Sequence, residues 1–473
     1  MNPTPTDAKA GLAGTSPPPD GTPTPAPHGG ETAAAAVLPL LPAGKNPGAG
    51  IDYELFLDCV HCGLCTAACP TYAELGNEND SPRGRIYLMR SVTDVRLALN
   101  DEVRRHLELC LDCRACETAC PSGVQYGKLI EPFRVAMEQS ADAATPAKSS
   151  DWFHRYILFG LFPYPDKLRK ALAPARLAQK LGLMGLLQNT PLLKLLPPRL
   201  RQLVAMLPPP RKEEKPLPEV LPAIGRRRAR VALFTGCVGD VMFRHTNWAT
   251  ARVLQQNGCD VVVPSAQVCC GAIHFHAGSS PPAREMADLN EQAFDYQGVD
   301  AVVANIAGCG SMLKDYGHHW HDELQPQRAA FAAKVRDVNE FLDSLGLIPP
   351  EGNIPLTVTY HDACHLAHAQ KVREAPRNLL AQIPGLTLKD LPETELCCGA
   401  AGTYNLTEPE MAGRLSRRKL RNILGTGAEL VVTANAGCIL QIAREARQQG
   451  QRLGVMHPVE LLDYSYRGEQ PVF

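Results

Sequence analysis

The chain has 473 residues, a formal net charge of −1 and a hydrophobic content of 45%. That length suggests two to four domains, and the balanced charge excludes a global field for nucleic acid or an anionic surface. The composition is that of a globular protein except for 17 cysteines. Disulfides in a secreted chain are one reading of that count. The N-terminus, however, lacks a basic start followed by an apolar core. The odd number and tight clustering favour metal or redox chemistry in a reducing compartment. No uncharged apolar run is long enough to span a bilayer.

In chain order, residues 1–50 are rich in Pro, Ala, Gly and Thr. They cannot bury enough apolar surface to offset ordering entropy and read as a disordered tail. Residues 51–145 hold eight cysteines in two blocks. Between the blocks, "SPRGRIYLMRSVTDVRLAL" and "DEVRRHLELC" carry helical spacing of apolar positions. Residues 146–225 form a basic helical segment and a Pro-rich linker. From Phe153 to Lys212, Lys and Arg number eleven against the single acid Asp166. This segment reads either as a solvated face on helices that clamp neighbouring domains or as a membrane-surface or partner-docking stretch. Residues 226–350 and 351–473 alternate apolar runs with helical sequence. "RVALFTGC", "CDVVVP", "DAVVANIAGCG", "LTVTYHDACH" and "AELVVTANAGC" predict buried strands. Strand–helix alternation of this kind implies α/β layers with mainly parallel sheets. The fold class is therefore multidomain: an α-helical ferredoxin-like domain followed by a duplicated α/β module.

The first block, "CVHCGLCTAACP", places Cys59, Cys62, Cys65 and Cys69 before Pro70; the second, "CLDCRACETACP", places Cys110, Cys113, Cys116 and Cys120 before Pro121. Both read C-x2-C-x2-C-x3-C-P, the bacterial-type pattern for [4Fe–4S] clusters, in which the fourth cysteine serves the other cluster. Cys59, Cys62, Cys65 and Cys120 are thus expected to hold one cluster, and Cys110, Cys113, Cys116 and Cys69 the other. Structural zinc also uses four thiolates, but its paired C-x2-C knuckles do not match three evenly spaced cysteines. His61 reads as a polar loop residue. Arg83 and Arg85 read as helix-capping or solvated side chains whose donors near a cluster would raise its potential.

The other cysteines recur in the same order twice. "FTGC" (Phe234–Cys237), "VCCG" (Val268–Gly271) and "VVANIAGC" (Val302–Cys309) match "HDAC" (His361–Cys364), "LCCG" (Leu396–Gly399) and "VVTANAGC" (Val431–Cys438). The gaps are 31 and 32 residues from lone cysteine to pair, and 37 and 38 from glycine to last cysteine. A duplicated module with pseudo-twofold packing follows. Its cysteines fall at carboxyl ends of predicted strands, where ligands collect in open α/β sheets. Cys237, Cys269, Cys270 and Cys309 are expected to converge, and separately Cys364, Cys397, Cys398 and Cys438. Three readings compete: metal ligation in an iron–sulfur cluster, a redox thiol pair or vicinal disulfide, or a metal-free fold whose cysteines only pack. Cys259 lies outside the repeat and reads as a core residue. His274, His276, His361 and His365 read as polar residues lining a strand-end cleft, or as ligands or proton acceptors there.

These modules resemble the cysteine-rich CCG domains of heterodisulfide reductase subunits and of iron–sulfur subunits of respiratory dehydrogenases. "SPRGRIYLMR", "TGCVGDVMF", "CCGAIHFHAG", "YHDACHLAHAQKVREAPRNLL", "LCCGAAGTYNLTEPEMAGRL" and "VMHPVELL" are similar to iron–sulfur subunits of glycolate oxidase over about residues 50 to 470. The resemblance implies a non-flavin subunit with two [4Fe–4S] clusters and no catalytic residue of its own. FAD would sit on partner subunits that oxidise glycolate to glyoxylate. Electrons would pass toward a quinone or membrane acceptor, in a cytoplasmic protein peripheral to the inner face of the membrane. Lactate and glycerol-3-phosphate dehydrogenases, or a heterodisulfide or thiol reductase with catalytic CCG sites, are the alternatives. One departure bears on the modules. The full CCG motif ends in CxxC, but here its first cysteine is replaced by Ile306 in one module and Asn435 in the other.

Overall fold

The computed structural model describes residues 46–140, 147–182, 197–209 and 214–473. The sequence before residue 46 and parts of the basic segment and linker lie outside them, so the tail reading concerns residues that are not described. Residues 46–50 form a turn in which Asn46 Nδ2 donates to the Thr93 carbonyl (2.8 Å).

The N-terminal part rests on helices α1 (Pro82–Thr93), α2 (Asp101–Glu108) and α3 (Gly127–Gln139). Ser81 caps α1, its hydroxyl accepting from the Gly84 N–H (3.0 Å), with Pro82 in the first turn. Asn100 caps α2 by accepting from the Val103 N–H (2.9 Å). Met89 and Val92 of α1 pack with Leu107, Leu129, Phe133 and Phe56 in one core. Full burial of each such side chain contributes about 1.5–3 kcal/mol. The helical spacing in the sequence runs on to Leu99, yet α1 stops at Thr93. Val95 takes a positive φ of 58°, and Arg96 and Leu97 fold back to donate to the Ser91 carbonyl.

The basic segment supplies α4 (Pro165–Lys180) and α5 (Pro198–Met206). Phe153, Leu158, Leu200 and Leu203 pack with Ile273 and Leu406, which belong to different cysteine-rich modules. Arg169 pairs with Asp240 (2.8 Å), Arg176 donates to the Val241 carbonyl, and Arg447 Nη2 donates to the Ala205 carbonyl (3.1 Å). The clamping role read from the sequence is therefore filled by the described part of the segment.

The C-terminal half holds two sheets. The first runs β1 (Val220–Leu221), β3 (Cys259–Val262), β2 (Ala229–Phe234), β4 (Ala301–Ala304), β5 (Val335–Asp337), parallel except for β1. The second runs β7 (Thr387–Lys389), β6 (Thr357–Tyr360), β8 (Leu430–Val432), β9 (Gly454–Met456), all parallel. Removing β1 leaves the same strand order in both. Strands β4 and β8 are buried along their whole length, as expected of parallel strands covered on both faces. The helices between them are α6 (Arg244–Gln256), α7 (Ser280–Ala293), α8 (Ala307–Lys314), α9 (Val338–Leu345), α10 (Glu374–Leu380), α11 (Pro409–Gly425), α12 (Ala436–Gln448) and α13 (Pro458–Arg467).

The modules pack reciprocally. Helix α6 of the first meets α13 of the second, joined by Thr246 to Glu460 (2.6 Å) and Arg252 to Asp463 (2.7 Å). In exchange α9 of the first meets α10 of the second, with Asn378 Nδ2 donating to Asp343 (3.2 Å). One core runs through both, from Val231 and Val261 to Val358, Leu430 and Leu462.

Candidate metal centres

The two ferredoxin-type loops wrap two neighbouring pockets. Cys59, Cys62, Cys65 and Cys120 line the first, beneath Arg83. The Arg83 guanidinium pairs with Glu78 (2.6 Å) and donates to the His61 carbonyl (3.0 Å), which holds it over the loop. Gly63 makes room for it: with φ 84°, a Cβ there would sit 2.4 Å from Arg83 Nη1. Cys69, Cys110, Cys113 and Cys116 line the second pocket with Arg85 and Tyr126. Cys116 borders both. The Tyr126 hydroxyl donates to Cys110 Sγ (3.6 Å). Arg85 is fully buried: it donates to Thr71 Oγ1 (3.0 Å) and the His106 carbonyl (2.7 Å), pairs with Asp80 (3.4 Å), and brings Nη1 to 3.9 Å from Cys69 Sγ.

These pockets suit a cationic guest. Burial, with the nearby Cys59 and Cys120 sulfurs adding to it, pushes the Cys65 thiol up to about 11. Burial and the surrounding thiols push Cys113 and Cys116 up further. Thiols raised in this way stay neutral unless a metal core offsets their charge, and coordination then deprotonates them outright. Four sulfurs per pocket, in a mainly apolar wall, fit an iron–sulfur cube.

Each cysteine-rich module gathers its four thiols at the carboxyl edge of its sheet. In the first, Cys237 Sγ lies 3.3 Å from Cys269 Sγ, and Cys270 contacts Cys309. In the second, Cys364 contacts Cys397, and Cys398 contacts Cys438. Burial and the adjacent thiols hold Cys364, Cys397 and Cys398 well above the ordinary range. The CxxC departures are accommodated differently. Ile306 joins an apolar cluster with Val238, Met242 and Ile439. Asn435 donates to Cys438 Sγ (3.5 Å) and accepts from the Gly308 N–H (3.3 Å). Cys259 sits fully buried on β3, in the shared core.

The second ferredoxin pocket is built into the second module. Cys113 packs in one apolar cluster with Cys364, Cys397, Tyr404 and Leu415. The Tyr404 hydroxyl donates to the Leu109 carbonyl (2.9 Å), His365 Nε2 donates to the Asp112 carbonyl (3.0 Å), and Thr118 Oγ1 bonds His368 Nδ1 (3.0 Å). Arg105–Glu408 (2.7 Å) and Arg418–Glu74 (3.0 Å) flank the contact.

The first module meets the same loop through a buried ionic network. Arg114 pairs with Glu131 (2.8 Å) and Asp112 (3.4 Å), and His276 approaches Asp112 (3.4 Å) and Glu131 (3.5 Å). Despite burial, His276 and Arg114 hold the Asp112 carboxyl well below its usual range, while burial pushes Glu131 up to about 8. Asp112, Glu131 and His276 have the spacing of a metal triad. Arg114 already supplies positive charge there.

Of the histidines expected in a strand-end cleft, His276 and His365 line a cavity beside the Asp112 loop, while His274 and His361 are buried. His274 is buried against Phe159, ring centroids 4.6 Å apart. His276 and His365 stack beside the Asp112 loop, centroids 5.4 Å apart. His361 is buried at the sulfurs of the second module. Lys419 escaped a sequence reading as a site residue, and Arg85, read as a helix-capping or solvated side chain that could act on a cluster, is instead fully buried. Arg85 did carry a signal, since it shares the apolar face of α1 with Met89 and Val92.

Comparison with known proteins agrees with this layout. The description "4Fe-4S dicluster domain" matches residues 56–124, and "Cysteine-rich domain" matches residues 231–314 and 358–443. "Glycolate oxidase iron-sulfur subunit, linker region" matches residues 149–207. The "Probable glycolate oxidase iron-sulfur subunit" of Bacillus subtilis (strain 168) is 40% identical over 422 residues, covering 87% of this chain and 94% of the relative. The "Glycolate oxidase iron-sulfur subunit" of Escherichia coli (strain K12) is 34% identical over 421 residues, with the same coverage. "Lactate utilization protein A" of Exiguobacterium sp. is 31% identical over 236 residues, covering 49% of this chain and 96% of the relative. Two ferredoxin-type pockets, a matched linker and a duplicated cysteine-rich module, with similarity along most of its length, make this chain a member of the glycolate oxidase iron–sulfur subunit family.

Proposed function

We propose that the chain is the iron–sulfur electron-transfer subunit of a glycolate oxidase (glycolate dehydrogenase) complex. In this reading residues 51–145 are a helical ferredoxin-type domain, 146–225 a clamp and linker, and 226–350 and 351–473 the two CCG modules, after a tail of residues 1–50. Cys59, Cys62, Cys65 and Cys120 hold one [4Fe–4S] cluster, and Cys110, Cys113, Cys116 and Cys69 the other. Bound there, the clusters supply single-electron exchange. Flavin-bearing partner subunits with FAD oxidise glycolate to glyoxylate, and the electrons leave toward a quinone-type acceptor.

The observation that carries the reading is continuity of sulfur through the molecule. Cys116 borders both ferredoxin pockets, and Cys113 shares an apolar cluster with Cys364 and Cys397 of the second module. The surrounding residues serve this path. Arg83 and Arg85 place positive charge at the two pockets, Tyr126 donates to Cys110 Sγ, and Leu109, Leu111 and Tyr404 pack with Cys113 in one apolar cluster. For acceptor docking, the support lies in the clamp: no helix among the described residues is long and apolar enough to cross a membrane. Yet Trp152, Tyr156, Leu177 and Leu181 are exposed beside Lys167 and Lys170. That composition suits a peripheral site at the inner face of the cytoplasmic membrane.

The test is anaerobic. Glycolate with the flavoprotein partners should bleach the visible iron–sulfur absorbance of this chain, and about eight irons should be counted for the ferredoxin pair. Cys59→Ser combined with Cys110→Ser should leave flavin reduction intact and abolish transfer onward. Glycolate turnover by the purified chain alone would overturn the assignment. Failure to float with anionic liposomes, alone and in complex, would remove the peripheral-membrane part.

A further inference from the structure

The two cysteine-rich modules match in strand order and in thiols, but not in what faces the thiols. In the second module a ring nitrogen of His361 and the sulfurs of Cys398 and Cys438 all lie within 4.8 Å of one another. His361 is completely buried. Its backbone N–H donates to the Val432 carbonyl (2.9 Å) and Nδ1 donates to the Thr394 carbonyl (3.0 Å). Nε2 has no partner. A buried imidazole nitrogen left bare is destabilising. A ring held by an Nδ1–H bond to a backbone carbonyl, with the other lone pair free, has the arrangement that metal-ligating histidines adopt.

The same carbonyl of Thr394 also accepts from Lys419 Nζ (3.3 Å), which reaches the Glu393 carbonyl as well. Lys419 is nearly fully buried, and burial pushes its ammonium down to about 8, with Cys398, Cys397, Glu393 and Cys438 opposing that shift. A buried ammonium beside these three thiols is expensive unless nearby groups carry negative charge.

Neither feature stands at the equivalent position of the first module. Phe234 takes the place of His361, three residues before the lone cysteine, and stacks on Phe294 with centroids 6.1 Å apart. The glycine of each CCG abuts an alanine, Ala283 or Ala412, in the following helix. Seven residues beyond, the second module has Lys419 and the first has Asn290. Asn290 is spent on backbone and side-chain bonds: it accepts from the Val268 N–H (2.9 Å) and donates to the Cys269 carbonyl (3.0 Å) and the Tyr316 hydroxyl (3.2 Å).

We propose that His361 Nε2 is a protein ligand of a metal centre in the second module. That centre is an iron–sulfur site of mixed imidazole and thiolate donors, drawing on Cys364, Cys397, Cys398 and Cys438. At the place of His361 the first module offers Phe234, which has no donor atom. The proposal deepens the electron-transfer reading, because the second module is the one against which Cys113 packs.

The full chain, prepared anaerobically with and without 15N-histidine, is examined by pulsed EPR alongside iron, sulfide and zinc counts. The expected result is metal above the roughly eight irons of the ferredoxin pair, with a directly bonded nitrogen coupling that changes with the isotope. His361→Phe, which installs the residue of the first module, should lose that coupling and keep the ferredoxin signals. The wild-type isotope measurement stands even if the variant folds poorly. If the extra metal is zinc, the iron–sulfur identity of the centre is overturned, and the X-ray absorption edge then tests the ligand alone: nitrogen with sulfur supports His361, and sulfur alone overturns it. An extra centre without bonded nitrogen, or a coupling that survives in His361→Phe, overturns the ligand assignment and leaves the electron-transfer function standing. No metal beyond the ferredoxin pair overturns the centre itself, whereas absence of the ferredoxin irons would instead defeat the functional reading.

Discussion

The two ferredoxin-type pockets are written in one motif and end in opposite surroundings. At the first, Cys62 is exposed and the loop presents Val60 and Leu64, 67% and 60% exposed, beside Tyr87. At the second, Cys69 and Cys113 are buried under Arg85, Tyr126 and the Tyr404 face of the second module. A cluster near an apolar rim is placed to meet another protein, because scattered apolar side chains are ordinary but a group around a redox site is not. A cluster sealed by protein is placed to pass electrons inward. Spacing makes a pocket; what packs on it decides which way it faces.

The comparison breaks most sharply at Arg85. Arg85→Leu strips the buried Asp80 of its guanidinium and should cost about 3–5 kcal/mol. Iron loss confined to the second pocket, read by EPR and thermal melting, is the expected signature. An unchanged melt with both cluster signals intact would show that the inner pocket does not depend on its buried charge.

Acid should act on the inner side next. Burial holds His274 and His457 down to about 4, against an ordinary 6.5. His457 Nδ1 must also stay unprotonated to accept from the Val459 N–H at the start of α13 (3.1 Å). The unfolded chain therefore binds more protons than the folded one. Stability is full above about pH 6.5 and falls as pH drops toward 4, by about 3 kcal/mol for each histidine. His457→Asn, which keeps the cap, should flatten the fall in melting temperature over that window by one histidine's share.

Two smaller tests sharpen the contrast. Tyr404→Phe removes the bond to the Leu109 carbonyl and should cost about 1 kcal/mol. Its readout is the rate of electron passage from the ferredoxin pair to the second module, with the outer pocket unaffected. Leu64→Asp lies on the exposed rim and should change stability by no more than about 0.5 kcal/mol. It should nonetheless weaken reduction by the flavoprotein partner several-fold. Equal rates in wild type and Leu64→Asp would mean that electrons enter elsewhere.

Much of this layout is legible in the chain. The cysteines of "CVHCGLC" and "CLDCRAC" group by short spacing, and the Val-rich runs at β2, β3, β4, β6 and β8 announce buried parallel strands. The short strands β5, β7 and β9 carry too few residues to show a period, and are strands only because a neighbour pairs with them. Arg85 and Lys419 look like surface charge until the elements that bury them are in place. His361 likewise looks like one polar residue among several in "YHDACH", since nothing local tells Nε2 from a solvated ring.

The sequence by itself determined which thiols can share a pocket and that the α/β unit is written twice, because those follow from spacing of a few residues and from the period of apolar positions. Only the tertiary structure decided that the second module, rather than the first, covers Cys113, and that Tyr404 and His368 close on the second ferredoxin-type loop. Those facts depend on contacts between residues more than two hundred positions apart, such as Thr118 with His368 and Leu109 with Tyr404. Packing of whole modules sets such contacts, and no local propensity encodes them.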